Sequence, residues 1–259
     1  MSDKNIMNAE FKKLSNTLFC ASGDLKKTVK IVNNDKVYSF PGNGEEILMA
    51  GEKATFGLNN EHVLDENYRK AKTIKTEDFD TTFDINDISS AAASLFGQDD
   101  SHCISIERYR VNMYTEGGMF KAHKDTPRGG DFVGTIVVCL QNKFSGGIFY
   151  LNNNGSEVKF EWDVKSGEMT QWAVFYGDVT HWIDEVTSGT HVTLTYNVYK
   201  QKIQPVVKYD AFENVFNNFV DTYLIESNHQ HNVINENYCY YEKYRDKSED
   251  KIEENKEDM

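Results

Sequence analysis

Three residues of types that bind metal ions, His123, Asp125 and His181, stand out in the second half of the sequence. His123 and Asp125 form an H-x-D pair, and side chains two positions apart on a strand project to the same side. Both could therefore reach one ion. Two imidazoles and one carboxylate form the facial triad that holds non-haem Fe(II) and leaves positions open for further ligands. An H-x-D pair also occurs in solvated surface turns, which is the alternative interpretation.

The elements that would position these residues are short strands. From 104 to 200 the chain contains segments of strand length with alternating or continuous apolar character, separated by Gly, Asn, Asp and Ser clusters. Many short strands at such spacing predict a sandwich, barrel or jelly roll. The segments are ISIERYRVNMY, FVGTIVVCL, GGIFYL, EVKFEW, TQWAVFYG, HWIDEV and HVTLTYNVY.

Before this strand-rich region the sequence predicts a hairpin and two helices. TVKIV and KVYSF alternate apolar residues on both sides of the turn residues NND, which is typical of a β-hairpin. Helical patterns follow at 61–71 and 87–96, the second with Asn86 or Asp87 as N-cap and Gly97 as its end.

After the strands, DAFENVFNNFVDTYLIES has apolar residues at helical spacing behind a D-x-x-E start, which predicts an amphipathic helix at about 211–225. The highly charged segment 246–259 predicts a disordered acidic tail. We therefore expect a mainly β (α+β) chain with a lead-in at 1–17 and a single domain at 18–245. Within that domain, a pre-core segment at 18–103 precedes a core at about 104–200.

Composition and charge narrow the function classes. The 259 residues include 28 Lys and Arg against 41 Asp and Glu, a formal charge of −13 that repels phosphate backbones and anionic membrane surfaces. We expect no nucleic-acid partner and no membrane partner, and a basic or neutral substrate rather than an acidic one. No apolar run approaches the roughly 18 residues of a membrane span, so the expected location is cytoplasmic.

Motifs of other enzyme classes are missing from the sequence. No G-x-S-x-G, Walker or G-x-G-x-x-G motif follows a strand-like segment, which argues against hydrolases, NTPases and dinucleotide-binding enzymes. The four cysteines show no C-x-x-C spacing, so they indicate neither a zinc cluster nor a dense disulfide framework.

A long stretch of the chain resembles a known family. The run YRVNMYTEGGMFKAHKDTPRGGDFVGTIVVCL, followed by GGIFYL, WAVFYGDVTHWIDEVTSG and VTLTYNVY, is similar to the core of the Fe(II)/2-oxoglutarate-dependent dioxygenases. More narrowly, it resembles a prolyl-4-hydroxylase-like group common in fungi and related microbes. EKATFGLNNEHVLDENYRKA resembles the segment that precedes this core, so the resemblance covers about 18–200.

The resemblance implies a double-stranded β-helix (jelly roll) core with flanking helices and an iron site at its open end. His123, Asp125 and His181 would be the Fe(II) ligands. The co-substrates would be 2-oxoglutarate and O₂, with ascorbate as reductant. The implied reaction is hydroxylation of an unidentified protein or small-molecule substrate, coupled to oxidative decarboxylation of 2-oxoglutarate to succinate and CO₂.

The resemblance also implies residues for the co-substrate. Tyr114 matches a tyrosine that reaches the co-substrate in several relatives, although it could equally be a core aromatic residue. Thr135 lies on one strand face with Val137 and Cys139, and this face could form a pocket wall. The strand after His181 would contribute the other contacts, from His191, Thr193 and Thr195.

His191 stands where close relatives have an arginine that holds the far carboxylate of 2-oxoglutarate. Histidine is mostly neutral at pH 7, whereas arginine is always charged. Three explanations stay open. Bound 2-oxoglutarate could raise the pKa of His191; the pocket could take another 2-oxo acid or use Arg110 or Arg128; or the protein could be a catalytically silent, metal-binding jelly roll that acts as a binding module.

Overall fold

A computed structural model of the chain describes residues 19–58, 61–126 and 128–203. The predicted lead-in at 1–17, the predicted helix at about 211–225 and the predicted acidic tail at 246–259 lie outside the described residues. No helix within the described ranges is long and apolar enough to cross a membrane.

The segment before the core forms mostly short strands. The hairpin prediction is confirmed, because β2 and β3 pair around a tight turn in which Asn34 has a φ of +50°. The strands are β1 (Cys20–Leu25), β2 (Val29–Asn33), β3 (Lys36–Phe40), β4 (Glu52–Lys53), β5 (Phe56–Leu58), β6 (Glu61–Val63), β7 (Arg69–Lys70), β8 (Lys72–Lys75) and β9 (Asp80–Thr81).

Each strand predicted for the core corresponds to a strand of the structure, although the one predicted at HWIDEV ends at Ile183, and β11, β13 and β18 are additions. The core strands are β10 (His102–Tyr114), β11 (Met119–His123), β12 (Phe132–Cys139), β13 (Phe144–Gly146), β14 (Phe149–Asn153), β15 (Ser156–Phe160), β16 (Thr170–Tyr176), β17 (Thr180–Ile183), β18 (Val186–Gly189) and β19 (His191–Lys202).

Two antiparallel sheets face each other in the core. The larger has the order β1-β16-β12-β19-β10-β8-β4 and the smaller the order β15-β14-β17-β11-β7. Along the chain, β10, β12, β16 and β19 belong to the larger sheet, and β11, β14 and β17 come between them in the smaller sheet. A chain that alternates between two sheets in this way forms a jelly roll. The predicted mainly β fold with a double-stranded β-helix core is confirmed.

One α-helix accompanies the strands in the described part of the chain. This helix, α1 (Asn86–Phe96), confirms the helical prediction for 87–96, and it ends at Gly97 in the left-handed conformation, with a φ of +66°. Neither Asn86 nor Asp87 is its N-cap, since that position belongs to Ile85. The 3₁₀ helices are Glu46–Ala50, Thr76–Asp78 and Trp162–Lys165.

The helix predicted at 61–71 is wrong. The segment contains β6, a turn and β7. Asp65 makes the turn, because its side-chain Oδ1 accepts a hydrogen bond from the Asn67 N–H and its carbonyl accepts from the Arg69 N–H. Such local side-chain bonds compete with helix formation. Arg69 then pairs with Phe120 of β11, so a contact distant in sequence holds this segment extended.

Alternate residues of β12 serve two separate cores. Ile136 and Val138 face a cluster that also contains the buried side of α1, whereas Val137 and Cys139 belong to a cluster between the two sheets. This alternation follows from the two-residue period of a strand. The larger sheet is therefore covered on both faces, and its inner face forms one wall of the jelly-roll interior.

Candidate metal centre and pocket

The three metal-binding candidates come together at one end of the smaller sheet. His123 is the last residue of β11 and lies directly opposite His181 of β17, while Asp125 follows two residues beyond the strand. One ligand atom of each residue lies within 4.8 Å of the others. The pairing of two antiparallel strands thus places side by side residues that are far apart in sequence.

Backbone carbonyls orient both imidazoles. The Nδ1–H of His123 donates to the Lys121 carbonyl at 2.8 Å, and the Nδ1–H of His181 donates to the Val179 carbonyl at 3.0 Å. A carbonyl can only accept, so in the neutral form of each ring the proton is on Nδ1 and Nε2 has a lone pair for a metal. Metal-binding histidines in proteins are held in the same way.

The carboxylate of the triad is also oriented. Asp125 Oδ2 accepts a hydrogen bond of 2.5 Å from the Thr135 hydroxyl on β12. Thr135 is buried on the inner face of the larger sheet, so it connects the two sheets at the site. The sequence analysis named Thr135 for the co-substrate pocket, and the structure gives it this contact with a metal-ligand candidate.

Burial keeps His123 in the form that binds metals. Burial and the adjacent His181 lower the pKa of His123 to about 2, well below its ordinary value of 6.5. One face of its ring stacks on Phe120, with the ring centres 3.6 Å apart. His123 is therefore a neutral imidazole at physiological pH, and no proton competes with a metal ion for Nε2.

A cavity of about 510 Å³ opens beside the triad. Its walls include the predicted pocket residues Tyr114, Thr135, Thr193 and Thr195. A volume of this size suits a small organic ligand. With two oriented imidazoles, one oriented carboxylate and open space on the remaining side, the residues fit a non-haem Fe(II) ion with room for exchangeable ligands.

The cavity is basic although the chain is acidic. Among the described residues, four permanent cations line it, whereas Glu61 and Asp125 are the acidic residues in its walls. A cleft lined by one sign of charge attracts ligands of the opposite sign. The local charge of this cavity favours an anionic ligand, although the chain as a whole has a formal charge of −13. The four cations are Arg69, Arg110, Lys124 and Arg128.

His191 lies outside the walls of this cavity. Its ring stacks on Phe144 with the centres 4.2 Å apart and also meets Trp162 edge-on, and neither ring nitrogen has a hydrogen-bond partner among the described residues. Burial lowers the pKa of His191 to about 3, so the ring is neutral. Tyr114, whose ring centre is 5.8 Å away, does line the cavity. The co-substrate role of His191 stays a prediction.

Arg69 is a pocket residue that the sequence analysis missed. Only 7% of its surface is exposed, and its guanidinium donates to the Thr55 carbonyl at 2.6 Å and to Asn112 Oδ1 at 2.8 Å. The guanidinium carbon lies 4.5 Å from the centre of the Phe120 ring. Arg69 was missed because 61–71 was predicted to be a helix, and an arginine in a charged helical segment is expected to face solvent.

Arg110 and Arg128, the other arginines considered from the sequence, lie around Tyr109. Their guanidinium carbons are 4.7 and 3.7 Å from the centre of that ring, and Arg128 also donates to Asn197 Oδ1. Both side chains are half-buried. They contribute positive charge to a more accessible part of the cavity than Arg69 does.

In the comparisons with known proteins, the chain matches solved structures and nothing else. Neither a protein-family model nor a curated protein matches the chain. The similar structures include a 2OG-Fe(II) oxygenase family oxidoreductase from Burkholderia pseudomallei (15% identity, 60% of this chain and 76% of that one, TM-score 0.39). A Pseudomonas putida prolyl-4-hydroxylase matches at 15% identity over 75% of this chain and 99% of its own, with a TM-score of 0.43.

A prolyl hydroxylase from Trichoplax adhaerens, solved with a hypoxia inducible factor peptide fragment, matches at 17% identity over 77% of this chain and 94% of its own, with a TM-score of 0.46. The matching structures are thus 2-oxoglutarate oxygenases and prolyl hydroxylases. With TM-scores below 0.5 they carry no argument about the reaction, and the function proposed for this chain rests on its own His-Asp-His group and cavity.

Proposed function

We propose that this chain is an Fe(II)- and 2-oxoglutarate-dependent dioxygenase that hydroxylates a protein or small-molecule substrate. The observation that carries the proposal is the group of His123, Asp125 and His181, with ligand atoms within 4.8 Å of one another beside a cation-rich cavity. Two oriented imidazoles and one carboxylate on one side of an open space are what such an iron site requires.

In this proposal His123 Nε2, His181 Nε2 and an Asp125 oxygen would hold Fe(II) beside the cavity. When bound, iron and 2-oxoglutarate supply the oxidising power from O₂, with succinate and CO₂ as co-products and ascorbate as reductant. Thr135 holds the Asp125 carboxylate through its hydroxyl. The chain thus fixes the ligands before metal arrives, which favours binding because little ordering remains to be done.

The cavity walls orient the co-substrate. Tyr114, Thr193 and Thr195 line the space beyond the triad. Thr195 donates its hydroxyl hydrogen to the Arg110 carbonyl at 3.1 Å, so the hydroxyl donors for an anionic ligand are those of Tyr114 and Thr193. The substrate enters by the more accessible side, near Arg110 and Arg128.

A second candidate function is metal binding without turnover, as a binding module. The position of His191 favours it, since this neutral ring lies in an aromatic cluster and not in the cavity wall. Under this alternative the triad still binds metal, but the cavity does not hold 2-oxoglutarate in a productive position. Metal binding and turnover therefore have to be measured separately.

Metal binding is measured with Mn(II), which occupies the same ligands without oxidative chemistry. We expect wild type to bind Mn(II) in a calorimetric titration and the His123→Ala, Asp125→Ala double variant to bind at least about 100-fold more weakly, since losing even a residue that only hydrogen-bonds to a metal ligand costs about 10- to 100-fold. His102→Ala is the matched control, because His102 bonds Asp99 and lines no part of the cavity. Equal Mn(II) affinity in wild type and the double variant contradicts the triad.

Turnover is measured as succinate formed from 2-oxoglutarate with Fe(II), ascorbate and O₂. We expect wild type to release succinate above the level of the double variant, slowly when no substrate is present. Tight Mn(II) binding without any succinate, with or without candidate substrates, supports the binding-module alternative.

A further inference from the structure

We propose that Arg69 binds the carboxylate of the 2-oxo acid that lies farther from the metal. This inference rests on the proposed function. Neither the H-x-D…H pattern nor the family resemblance points to Arg69 as a co-substrate residue. The sequence analysis considered His191 on β19 for binding this carboxylate. The inference assigns that role to Arg69 on β7, at the edge of the smaller sheet.

The first argument is a buried charge without a counter-ion. Arg69 is a buried residue, with 7% of its surface exposed, and it forms no ion pair with any residue in 19–58, 61–126 or 128–203. A buried charge is costly unless an opposite charge or several hydrogen bonds compensate it. Arginine cannot escape this cost by losing its proton, and its hydrogen-bond partners are neutral, so an anion bound here would compensate the charge further.

The second argument is unused hydrogen-bonding capacity. A guanidinium has five N–H groups, and that of Arg69 donates to the Thr55 carbonyl, to Asn112 Oδ1 and to the Tyr114 hydroxyl. Its Nε is buried and has no partner among the described residues. All three partners are neutral and fix the plane of the group. The free N–H groups match a carboxylate, which arginine binds through two parallel hydrogen bonds.

The third argument is position. The guanidinium carbon of Arg69 lies 4.5 Å from the centre of the Phe120 ring, and Phe120 stacks on His123 with 3.6 Å between ring centres. One aromatic ring thus connects the buried cation to the metal ligand. Arg69, Phe120 and His123 all line the same cavity. A dicarboxylate can chelate a metal at one end of this cavity and reach the guanidinium with the other.

The other basic residues fit this role less well. His191 is neutral, lies behind Tyr114 and does not line the cavity. Arg128 already donates to Asn197 and stacks on Tyr109. Arg110 is half-buried beside the same tyrosine and stands in the more accessible part of the cavity. Arg69 combines nearly complete burial with free donors.

The test measures ligand binding and needs no turnover. Mn(II)-loaded protein is titrated by calorimetry with 2-oxoglutarate and with 2-oxopentanoate, which has a methyl group in place of the far carboxylate. For Arg69→Gln we expect 2-oxoglutarate affinity to fall by about 30- to 100-fold, the range of a hydrogen-bonded charge pair, and 2-oxopentanoate affinity to change by less than about 3-fold. Arg110→Gln removes the same charge from the same cavity and is expected to weaken 2-oxoglutarate binding by less than about 5-fold.

Two results overturn the inference while leaving the proposed function intact. One is an unchanged 2-oxoglutarate affinity in Arg69→Gln; the other is an equal loss for both ligands, which places Arg69 at the metal end. Wild-type protein that binds Mn(II) but not 2-oxoglutarate contradicts the proposed function itself. If Arg69→Gln does not fold, Arg69→Lys replaces it, with an expected loss of about 3- to 10-fold for 2-oxoglutarate alone, because an ammonium cannot pair with both carboxylate oxygens in parallel.

Discussion

Two buried basic side chains flank Tyr114, and they differ in every property that matters for binding an anion. Arg69 lies in the cavity wall with free N–H donors, whereas His191 lies outside that wall, stacked on Phe144. Burial forces His191 to give up its charge, as its lowered pKa of about 3 shows. Arginine keeps its charge in any environment found in proteins. Equal burial therefore produces a neutral packing residue on one side and an anion-binding residue on the other.

The difference shows that the residue type at one sequence position does not by itself reveal which basic residue gives a cavity its positive charge. At the position after His181 where the resemblance implies an arginine, this chain has a ring that packs like a phenylalanine. A permanent positive charge is nevertheless present in the same cavity, supplied by a strand from the other sheet. Charge in a cavity is a property of all the walls together.

After loss of the triad or of Arg69, the largest effect that we expect is a loss of Mn(II) affinity in a Thr135 variant. Thr135→Val removes the hydroxyl that donates to Asp125 Oδ2 while preserving the side-chain shape. We expect Mn(II) affinity to fall by about 10- to 100-fold, the usual cost of losing an outer-shell partner. A calorimetric titration with Mn(II) measures the change.

Thr76→Val is the matched control for Thr135→Val. The Thr76 hydroxyl donates to the Arg108 carbonyl, and this residue does not line the cavity. We expect its Mn(II) affinity to equal that of wild type. If Thr135→Val also binds Mn(II) like wild type, the Thr135 hydroxyl does not orient Asp125 for metal binding.

We expect His191→Phe to have an intermediate effect, on how the free energy of unfolding depends on pH. The folded pKa of His191 is about 3 and its ordinary value is 6.5, so between these values the unfolded chain binds a proton that the folded chain does not. The free energy of unfolding therefore falls as pH drops below about 6.5, by at most about 1.4 kcal/mol per pH unit for this residue. His191→Phe abolishes that contribution.

Urea unfolding of metal-free protein at pH 7, 6 and 5 measures this contribution. We expect His191→Phe to become progressively more stable than wild type as pH decreases, with 2-oxoglutarate affinity at pH 7 within about 3-fold of wild type. A parallel pH dependence in the two proteins means that His191 titrates normally in the fold. A large loss of 2-oxoglutarate affinity returns the anion-binding role to His191.

The smallest expected effect belongs to Tyr114, which lies between the two side chains. Burial raises the pKa of Tyr114, and the positive charge of Arg69 nearby opposes this rise. Tyr114→Phe removes the hydroxyl from the Arg69 side and leaves the ring near His191 unchanged. We expect 2-oxoglutarate affinity to fall by about 3- to 10-fold, the value of one neutral hydrogen bond.

Calorimetry on the Tyr114→Phe, Arg69→Gln double variant sharpens this result. If the two side chains bind the same carboxylate, the two losses in binding free energy do not add. Additive losses place the Tyr114 hydroxyl on another part of the ligand. Cys139→Ala is a control for packing, since this buried residue belongs to the same cluster as Tyr114 but does not line the cavity.

The sequence by itself determined the strand-rich core and the residues of the triad. Alternating apolar positions in β12 and β19 and turn residues between strands are local signals, so they predict the elements in which Thr135, Thr193 and Thr195 line one face. The H-x-D pair with a distant histidine is a chemical signal that does not depend on packing. The same local reasoning placed α1 and its end at Gly97.

The tertiary structure alone decided which basic residue faces the cavity. The pairing of β7 with β11 made 61–71 a turn and a strand instead of a helix, and it buried Arg69 beside Phe120. The stacking on Phe144 made His191 a neutral core residue. Both outcomes depend on contacts between segments distant in sequence, and such contacts decide burial, which in turn fixes whether a basic side chain keeps a charge and what it can bind.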